Sequence, residues 1–284
     1  KPVGPSSNAV LQHVRNLYSA ETAGHTGTLD PLASGLLPVC FGDATKFGAH
    51  LLNADKGYVA EVRLGVRTST ADAEGDVLEK RAVPPLDAGS PGLRAVLSGF
   101  VGDRMQIPPM HSALKRDGQP LYKLARKGVT AERSPRKIVI HNLELLACEG
   151  DILRIHVYCS KGTYIRVLAE DIGSQLGCGA HLASLRRVRI GAVDVGDSLP
   201  LSSLEAMSEG ERLAQLKAVD FLVAELPKVD LEAELATRFS HGQKVACLPS
   251  KEWAQNADLV RIFGQGVNFL GVGRVNDDGL LVPV

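Results

Sequence analysis

Apolar residues recur along the chain with two different spacings, which predicts both helices and strands. Four of them fall at helical spacing behind Ser6 and Ser7, either of which can cap a helix: Val10, Leu11, Val14 and Leu17. Across residues 58–66 every second residue is apolar, and Glu61 and Arg63 lie between them. That alternation predicts a half-buried strand with Tyr58 near its start.

Two further regions predict antiparallel strands. Residues 138–145 and 153–159 both alternate and are separated by a glycine turn, so we expect a hairpin. From about Leu231 the pattern changes to short apolar runs with glycine turns, which predicts a small β-rich domain. The predicted division is a larger domain over residues 1–230 and a β-rich domain over 231–284. Together these elements predict an α/β fold with a mixed, largely antiparallel sheet and helices on its faces.

Capping signals predict the starts of two more helices. Thr163 is placed to cap a helix that ends at Gly177, with Tyr164 and Arg166 in its first turn, off the buried stripe. Those two side chains can face a pocket, or they can belong to an ordinary helix start with a surface arginine. Residues 202–205 have the sequence Ser-Ser-Leu-Glu, which predicts a capping box at the start of another helix.

The composition is typical of a globular protein, with 44% hydrophobic and 23% charged residues among 284. No apolar run approaches the roughly 20 residues of a membrane-spanning helix, and no secretory signal is visible. The five cysteines are widely spaced and include no C-x-x-C pair, which argues against a disulfide framework and a zinc knuckle. We therefore expect a cytoplasmic protein.

Charge is balanced over the whole chain but not along it. Nine basic residues and two acids fall between residues 104 and 137, a net charge of +7, whereas residues 197–238 hold nine acids and four bases, a net −5. The basic segment predicts an insertion that binds phosphates. A solvated helix face with counter-charges from elsewhere in the fold would show the same count. Within the segment, residues 120–127 predict a short helix with Lys123 and Lys127 on one face.

The candidate chemistry lies in residues 23–35, which contain a single acid, Asp30. Pro31 disfavours the helical region for Asp30, and three glycines allow tight turns and close approach of a ligand. The segment can thus hold one carboxylate at the edge of a pocket. An Asp-Pro turn in a surface loop is the plainer alternative. A phosphate-binding P-loop is excluded because the segment lacks the required lysine and glycine spacing.

Three separated motifs occur along the chain: KPVGPSS at residues 1–7, GHTGTLDPLASG at 24–35 and CSKGTYIR at 159–166. Together they resemble the TruB family, the bacterial tRNA pseudouridine-55 synthases, and they stand in the family's order. The terminal β-rich region resembles a PUA domain. The resemblance implies a pseudouridine-synthase fold and the isomerisation of uridine to pseudouridine at position 55 in the T loop of tRNA, with no cofactor and no metal.

The resemblance also implies a set of site residues. Asp30 has the position of the indispensable family aspartate and is expected to act as the nucleophile, on C6 of the base or on C1′ of the sugar. Arg166 has the position of the arginine that pairs with this aspartate and is expected to keep its pKa low. Tyr58 is expected to stack on the target base and to accept a proton. Tyr164 and Leu185 are expected to border the base.

The remaining expectations concern RNA. His25 has the position of a histidine that fills the T loop after the target base has flipped out; a hydrogen bond from His25 to Asp30 is the alternative. The insertion over about residues 104–137 is expected to grip the T arm. Its candidate RNA contacts are Lys115, Arg116, Lys123, Arg126 and Lys127. We expect a monomer that binds tRNA and no membrane. The alternatives are a tRNA-binding or tRNA-folding protein with a secondary catalytic role and a glycosidase acting on free nucleosides.

Overall fold

The structure, a computed structural model, describes residues 1–116, 118–125, 127–246, 259–265, 268–276 and 278–284. Its helices in chain order are α1 Ser7–Leu17, α2 Gly48–Asn53, α3 Pro91–Ser98, α4 Leu121–Ala125, α5 Ile165–Gln175, α6 Leu201–Ala206, α7 Glu209–Ala214 and α8 Ala233–Ser240. Short 3₁₀ helices occupy Gly42–Phe47, Val195–Asp197 and Val219–Val223.

The strands belong to two larger sheets and three small two-stranded ones. In chain order they are β1 Ala23–His25, β2 Ala33–Gly35, β3 Val39–Phe41, β4 Lys56–Leu64, β5 Val66–Thr68, β6 Val77–Lys80, β7 Gly102–Gln106, β8 Lys115–Arg116, β9 Gln119–Pro120, β10 Arg136–Glu149, β11 Ile152–Cys159, β12 Ala180–Ile190, β13 Val193–Asp194, β14 Lys228–Leu231, β15 Val245–Ala246, β16 Val260–Gly264, β17 Asn268–Val275 and β18 Leu280–Pro283.

The first large sheet has seven strands, in the order β13-β12-β4-β11-β10-β7, with β2 beside β12. Its neighbouring strands are antiparallel, except that β12 and β2 run parallel. The predicted hairpin is β10 and β11, and β4 lies at the centre between β11 and β12. The prediction of a mixed, largely antiparallel sheet is therefore confirmed.

The central strand β4 is more deeply buried than its alternation predicts, since Arg63 is its one exposed residue. Its apolar face lies in a core that also contains residues of α3 and α5; the buried members include Ala60, Val62, Leu64, Leu93, Leu97, Leu168 and Ile172. Burying each large apolar side chain contributes about 1.5–3 kcal/mol to stability. Tyr58 near the start of β4 belongs to the same core, so a well-packed sheet positions it.

The start of α5 differs from its prediction. Tyr164 is the N-cap residue and its side chain makes no capping hydrogen bond. Thr163 does not cap the helix because its hydroxyl donates to the carbonyl of Ser160 instead (2.9 Å). Since the helix starts later than expected, Arg166 is its second residue, and its side chain is buried. The prediction that Arg166 lies off the buried stripe is wrong.

Two other capping predictions have opposite outcomes. Ser6 caps α1, as one of the two alternatives stated, and its hydroxyl accepts a backbone N–H of the helix (3.1 Å). The capping box predicted at residues 202–205 is wrong, because α6 begins directly after Pro200 without a side-chain cap. A capping box occurs at the next helix, where Ser208 and Glu211 open α7.

The second large sheet is the β-rich region predicted near the end of the chain, in the order β14-β16-β17-β18-β15. Strand β14 runs parallel to β16, and α8 adds Phe239 to a separate core with Ile262 and Leu281. Phe47 and Phe269 place their rings 5.4 Å apart and so link this region to the first. Since β14 begins at Lys228, the sheet includes residues ahead of the predicted division at 230/231, and that division stays a prediction.

The cysteines that the structure describes carry no disulfide: Cys40, Cys148, Cys159 and Cys178 are free, and Cys247 lies outside the described residues. Across the described ranges, no helix combines the length and the apolar character that crossing a membrane requires.

Candidate active site

The loop between β1 and β2 carries Asp30 and is held by the first residues of the chain. The buried Ser7 hydroxyl accepts the N–H of Leu29 (2.7 Å) and donates to its carbonyl (2.8 Å). The carbonyl of Pro31 accepts the N–H of Gly4 (2.9 Å) and the ammonium of Lys1 (3.2 Å). The residues on both sides of Asp30 are thus fixed, and its side chain projects from a supported turn.

Asp30 and Arg166 form an ion pair, although 136 residues separate them in the chain. One terminal nitrogen of Arg166, Nη2, donates to Oδ2 of Asp30, and the other, Nη1, lies 3.5 Å from Oδ2 of Asp72. The side chains of Arg166 and Asp72 are 5% and 4% exposed, whereas that of Asp30 is 37% exposed. The guanidinium is therefore held on one side by the buried carboxylate of Asp72, and on the other it fixes the partly exposed carboxylate of Asp30.

Asp72 is a residue that the sequence did not single out. Its Oδ1 accepts the hydroxyl of Thr70 and the N–H of Glu74 (3.1 Å). The preceding Ala71 has a φ of +60°, and backbone hydrogen bonds join this turn to Leu182 of β12. A left-handed conformation at a non-glycine residue is held in place by the surrounding structure. Nothing in the local sequence distinguishes this turn from an ordinary polar one.

Tyr58 and Leu185 lie on the adjacent strands β4 and β12, and β12 also pairs with β2 at the end of the Asp30 loop. Leu185 of β12 pairs with Ala33 at the end of the Asp30 loop, and Tyr58 of β4 pairs with Arg187 of β12. Tyr58 is 8% exposed. Burial raises the pKa of Tyr58 to about 12, while Arg187 opposes the rise and the charge of Asp30 adds to it. The Tyr58 phenol is therefore neutral at pH 7.

Tyr164 is fixed by the base of the insertion. Its N–H donates to Oε1 of Gln106 (2.8 Å), and its carbonyl accepts Nε2 of the same residue (3.1 Å). Gln106 is the last residue of β7 and is buried, and it is a second residue that the sequence analysis missed. Burial raises the pKa of Tyr164 too. The charge of Asp30 adds to this rise, and the charge of Arg166 opposes it. The tyrosine, the ion pair and the insertion therefore meet at one place.

His25 ends β1, opposite Val39 of β3. Its Nδ1 is buried without a hydrogen-bond partner in the described part of the chain, and so is the hydroxyl of Thr26. Within that part no hydrogen bond joins His25 to Asp30, so that alternative is wrong. Burial lowers the pKa of His25 and the charge of Arg187 lowers it further, against a backbone hydrogen bond that raises it. The imidazole is thus neutral near pH 7, and its Nδ1 is available for a hydrogen bond to a ligand.

The pKa of Asp30 is raised, not lowered as the sequence analysis expects. Desolvation has the largest effect, Arg166 and Lys1 oppose it, and the nearby charge of Asp72 adds to it. One terminal nitrogen of Arg166 faces Asp72 and not Asp30. The arginine therefore does not fully offset the rise in the pKa of Asp30 that burial causes. The carboxylate is therefore more basic than an ordinary aspartate, and a more basic carboxylate is a better nucleophile once it is ionised.

The insertion contains β8, β9 and α4, and it is less regular than predicted. Helix α4 ends at Ala125, so Lys127 lies in the following turn and does not share a helix face with Lys123, although both are exposed. Lys115 and Arg116 form β8. The structure describes the backbone alone at Lys115, and Arg126 lies outside the described residues.

Arginines line a concave surface at the base of the insertion. The cavity measures about 380 Å³, and its lining includes Arg116, Arg133 and Arg136 with the single acid Glu132. A second cavity of about 450 Å³ lies between α2 and the segment 221–226 and contains none of the candidate residues. Among the described residues, no group of three or more His, Cys, Asp or Glu side chains is placed to hold a metal ion.

Comparisons with protein families agree over consecutive parts of the chain. Residues 15–165 match the N-terminal domain of TruB family pseudouridylate synthase, residues 166–223 match the C-terminal domain of tRNA pseudouridylate synthase B, and residues 227–284 match the C-terminal domain of pseudouridine synthase II TruB. The first of these matches alone spans more than half of the chain.

Curated relatives match the full chain. It is 52% identical over 285 residues to the tRNA pseudouridine synthase B of Burkholderia mallei (strain NCTC 10247), covering 100% of this chain and 93% of the relative. It is likewise 52% identical over 283 residues to the tRNA pseudouridine synthase B of Dechloromonas aromatica (strain RCB), covering 100% of this chain and 92% of the relative.

Two solved structures superimpose on most of the chain. A chain in a crystal structure of a Cbf5–Nop10–Gar1 complex superimposes with a TM-score of 0.70 at 28% identity, over 97% of this chain and 76% of that one. A chain in the structure of an H/ACA RNP bound to a substrate RNA containing 2′-deoxyuridine superimposes with a TM-score of 0.69 at 26% identity, with the same coverage, 97% and 76%.

Proposed function

The chain belongs to the TruB family of pseudouridylate synthases, and from this premise we propose that it converts uridine to pseudouridine at position 55 in the T loop of tRNA. The observation that carries the proposal is the ion pair of Asp30 with the buried Arg166. This pair fixes a partly exposed carboxylate, and the charge of Asp30 raises the pKa of the phenols of Tyr58 and Tyr164.

In the proposed reaction Asp30 is the nucleophile. The N1–C1′ bond of the uridine breaks, the base turns, and a C5–C1′ bond forms; C5 then loses its proton and N1 gains one, so the product is an isomer. Attack of Asp30 on C6 and attack on C1′ both fit a single carboxylate. Arg166 holds that carboxylate in one orientation and limits the rise of its pKa.

The aromatic side chains supply the walls of the base site in this proposal. Tyr58 stacks on the uracil, and Tyr164 and Leu185 border it. With a pKa of about 12, only about one Tyr58 in 10⁵ is ionised at pH 7. Tyr58 can therefore accept the C5 proton only if its own proton leaves in the same step, and in the resting site it is a hydrogen-bond donor.

His25 enters the T loop in place of the flipped base. Extruding a nucleotide from its stack costs a few kcal/mol, and a flat neutral ring that stacks in the gap returns part of that energy. Support comes from the neutral state of the imidazole and from its unpaired Nδ1, which a base edge or a phosphate can satisfy.

The insertion grips the T arm through its positive charge. Lys115, Arg116, Lys123, Arg126 and Lys127 are the proposed contacts, and the net +7 of residues 104–137 is the reason for choosing this segment. The link from Gln106 to Tyr164 joins the insertion to the base site. The acidic segment 197–238, with its net −5, binds no phosphates in this proposal.

The remaining features of the proposal concern organisation. The chain acts as a cytoplasmic monomer whose catalytic domain covers residues 1–230. Residues 231–284 form a PUA-like module that touches the acceptor side of the tRNA. One of the structural neighbours is bound to a substrate RNA, which supports RNA as the class of substrate. No cofactor and no metal enter the proposed reaction.

The decisive experiment uses an unmodified tRNA transcript. The wild-type protein is incubated with it, and every pseudouridine formed is mapped by position. We expect one product, at position 55, and none with Asp30→Asn, which should bind the transcript as tightly as the wild type does. Conversion at another position, or undiminished conversion by Asp30→Asn, would refute the proposal.

The same experiment separates the two alternatives. If the protein refolds a misfolded transcript but forms no pseudouridine, it is a tRNA-binding or tRNA-folding protein. Activity on free uridine that survives deletion of the insertion would identify a nucleoside enzyme, whereas we expect that deletion to abolish stable tRNA binding.

A further inference from the structure

Arg187 is the bulkiest fully buried side chain that the structure describes, with 1% of its surface exposed. Among the described residues no carboxylate lies within 4 Å of its guanidinium, although the other buried arginine of these residues, Arg166, is paired with two. Burial lowers the pKa of Arg187, against the neighbouring Tyr58, which raises it. A buried cation without a counter-ion is unfavourable for folding alone, so its presence calls for a role.

The guanidinium joins the two ends of the Asp30 loop. Its Nε donates to the carbonyl of Leu36 (2.8 Å), and its Nη2 donates to the carbonyl of Gly27 (3.0 Å). These carbonyls lie on either side of Asp30 in the chain. A single planar group therefore fixes the width of the loop, which is a geometry that the arginine fork allows.

The backbone around Arg187 is shaped for this close approach. Strand β12 pairs Arg187 with Gly35 of β2, and a side chain at Gly35 would meet the carbonyl oxygen of Arg187 at 2.2 Å. Gly35 also has a φ of +101°, which disfavours other residues. The loop and β12 are thus in contact through backbone as well as through the guanidinium.

The same arginine is the direct cross-strand neighbour of Tyr58. β12 pairs Arg187 with Tyr58 of β4, and neighbouring side chains on one face of a sheet lie about 4.5–5.5 Å apart at Cβ. Each of the two side chains perturbs the pKa of the other. The nucleophile loop and the tyrosine strand therefore share one contact point.

We propose that Arg187 is a positioning residue, which fixes the Asp30 loop against the strand of Tyr58 and directs the Tyr58 hydroxyl hydrogen toward the target base by donating to the phenol oxygen. The inference rests on the proposed function, because Arg187 acts only through Asp30 and Tyr58. It assigns Arg187 no contact with the substrate. Lysine cannot replace it, since one ammonium cannot reach two carbonyls and a phenol in a fixed plane.

The test compares Arg187→Gln and Arg187→Lys with Arg186→Gln as the matched control. Arg186 is the preceding residue of β12, is exposed and pairs with Val59. Single-turnover conversion of an unmodified tRNA transcript and its Kd are measured for each protein, with circular dichroism as the check of folding. We expect the rate constant to fall about a hundredfold in Arg187→Gln and at least tenfold in Arg187→Lys. The Kd should stay within twofold, and Arg186→Gln should match the wild type.

A double-mutant cycle with Tyr58→Phe distinguishes positioning from a role in the core alone. If Arg187 acts through Tyr58, the double variant should lose at least tenfold less than the product of the two single losses. Independent, multiplying losses would overturn the proposal. So would a folded Arg187→Gln within threefold of the wild-type rate, or failure of both Arg187 variants to fold. Absence of product with the wild type would instead refute the proposed function itself.

Discussion

The Asp30 loop and the basic insertion differ in how firmly the fold holds them. Around the loop, contacts converge from α1 through Ser7, from α5 through Arg166 and from β12 through Arg187. The insertion consists of two-residue strands and a helix of five residues, and its lysines at 123 and 127 are exposed. One region is determined by long-range contacts and the other by its own short elements.

This difference separates two tasks of the protein. Chemistry at one carbon atom needs a carboxylate held in a single position, because small displacements cost large factors in rate. Binding of a phosphate backbone needs charge at suitable distances and tolerates variation in geometry. Changes around the loop should therefore alter the rate constant, and changes in the insertion should alter affinity and its salt dependence.

Among substitutions that keep Asp30, the largest effect is expected from Arg166→Lys, which tests the Asp30 loop. Lysine keeps the charge but cannot hold Asp30 and Asp72 together. The single-turnover rate constant should fall about 10²–10³-fold, as when an oriented active-site donor is lost, while the Kd for tRNA stays within threefold. A matching loss in affinity would break the comparison between the two regions.

Arg67→Lys is the matched control for that substitution. Arg67 also lies between two carboxylates, Glu79 at 3.6 Å and Glu170 at 3.0 Å, but its side chain is 39% exposed. Exposed ion pairs contribute little, so this variant should keep the wild-type rate and affinity.

The next effect is expected from the double variant Lys123→Gln and Lys127→Gln in the insertion. Each lost phosphate contact should reduce the slope of log Kd against log salt by about 1. Affinity at 0.1 M salt should fall roughly tenfold or more, and the rate constant at saturating tRNA should not change. Titrations at several salt concentrations measure both quantities.

Lys80→Gln with Lys217→Gln is the control, because both lysines are exposed and lie outside residues 104–137. It removes the same charge and should leave the salt slope as in the wild type. An equal loss of slope in both double variants would mean that the overall charge, and not the insertion, determines binding.

Features that depend on neighbouring residues could be predicted from the sequence. The hairpin of β10 and β11 follows from alternation, and the cap of α1 follows from Ser6. Motifs also identified Asp30 and Arg166, which the fold brings together across 136 residues. What alternation could not predict is the partial burial of Val59 and Glu61 on the second face of β4.

The residues that the sequence analysis missed share one property: their contacts are long-range. Asp72 reads as part of a polar loop, and Arg187 reads as one of a cluster of three arginines. Gln106 has no signal at all in its surroundings. The direction of the Asp30 pKa also escaped prediction, because it depends on how much water the fold removes and on Asp72. Such quantities arise only when distant segments pack.

A smaller effect is expected from Ser7→Ala, which removes one support of the firm loop. The buried N–H of Leu29 loses its acceptor, and an unsatisfied buried group costs about 1–3 kcal/mol of stability. Ser6→Ala is the control, since loss of the α1 cap costs about 1 kcal/mol but leaves Leu29 untouched. Denaturant unfolding should show both losses, and single-turnover assays should show a slower reaction for Ser7→Ala alone.

The smallest effect concerns the acid limb of the pH–rate profile. Burial raises the pKa of Asp30 above the ordinary 3.8 of aspartate, so the nucleophile is protonated and lost at a higher pH than that value as the solution is acidified. Because the charge of Asp72 contributes to the rise, Asp72→Asn should move the limb to lower pH, whatever it does to the maximal rate. Asp76→Asn, an exposed acid in the same turn, should leave the limb in place. Single-turnover rates measured across the acid range decide the matter: a limb at or below 3.8 in the wild type would mean that Arg166 outweighs burial, and that the loop is held for geometry alone.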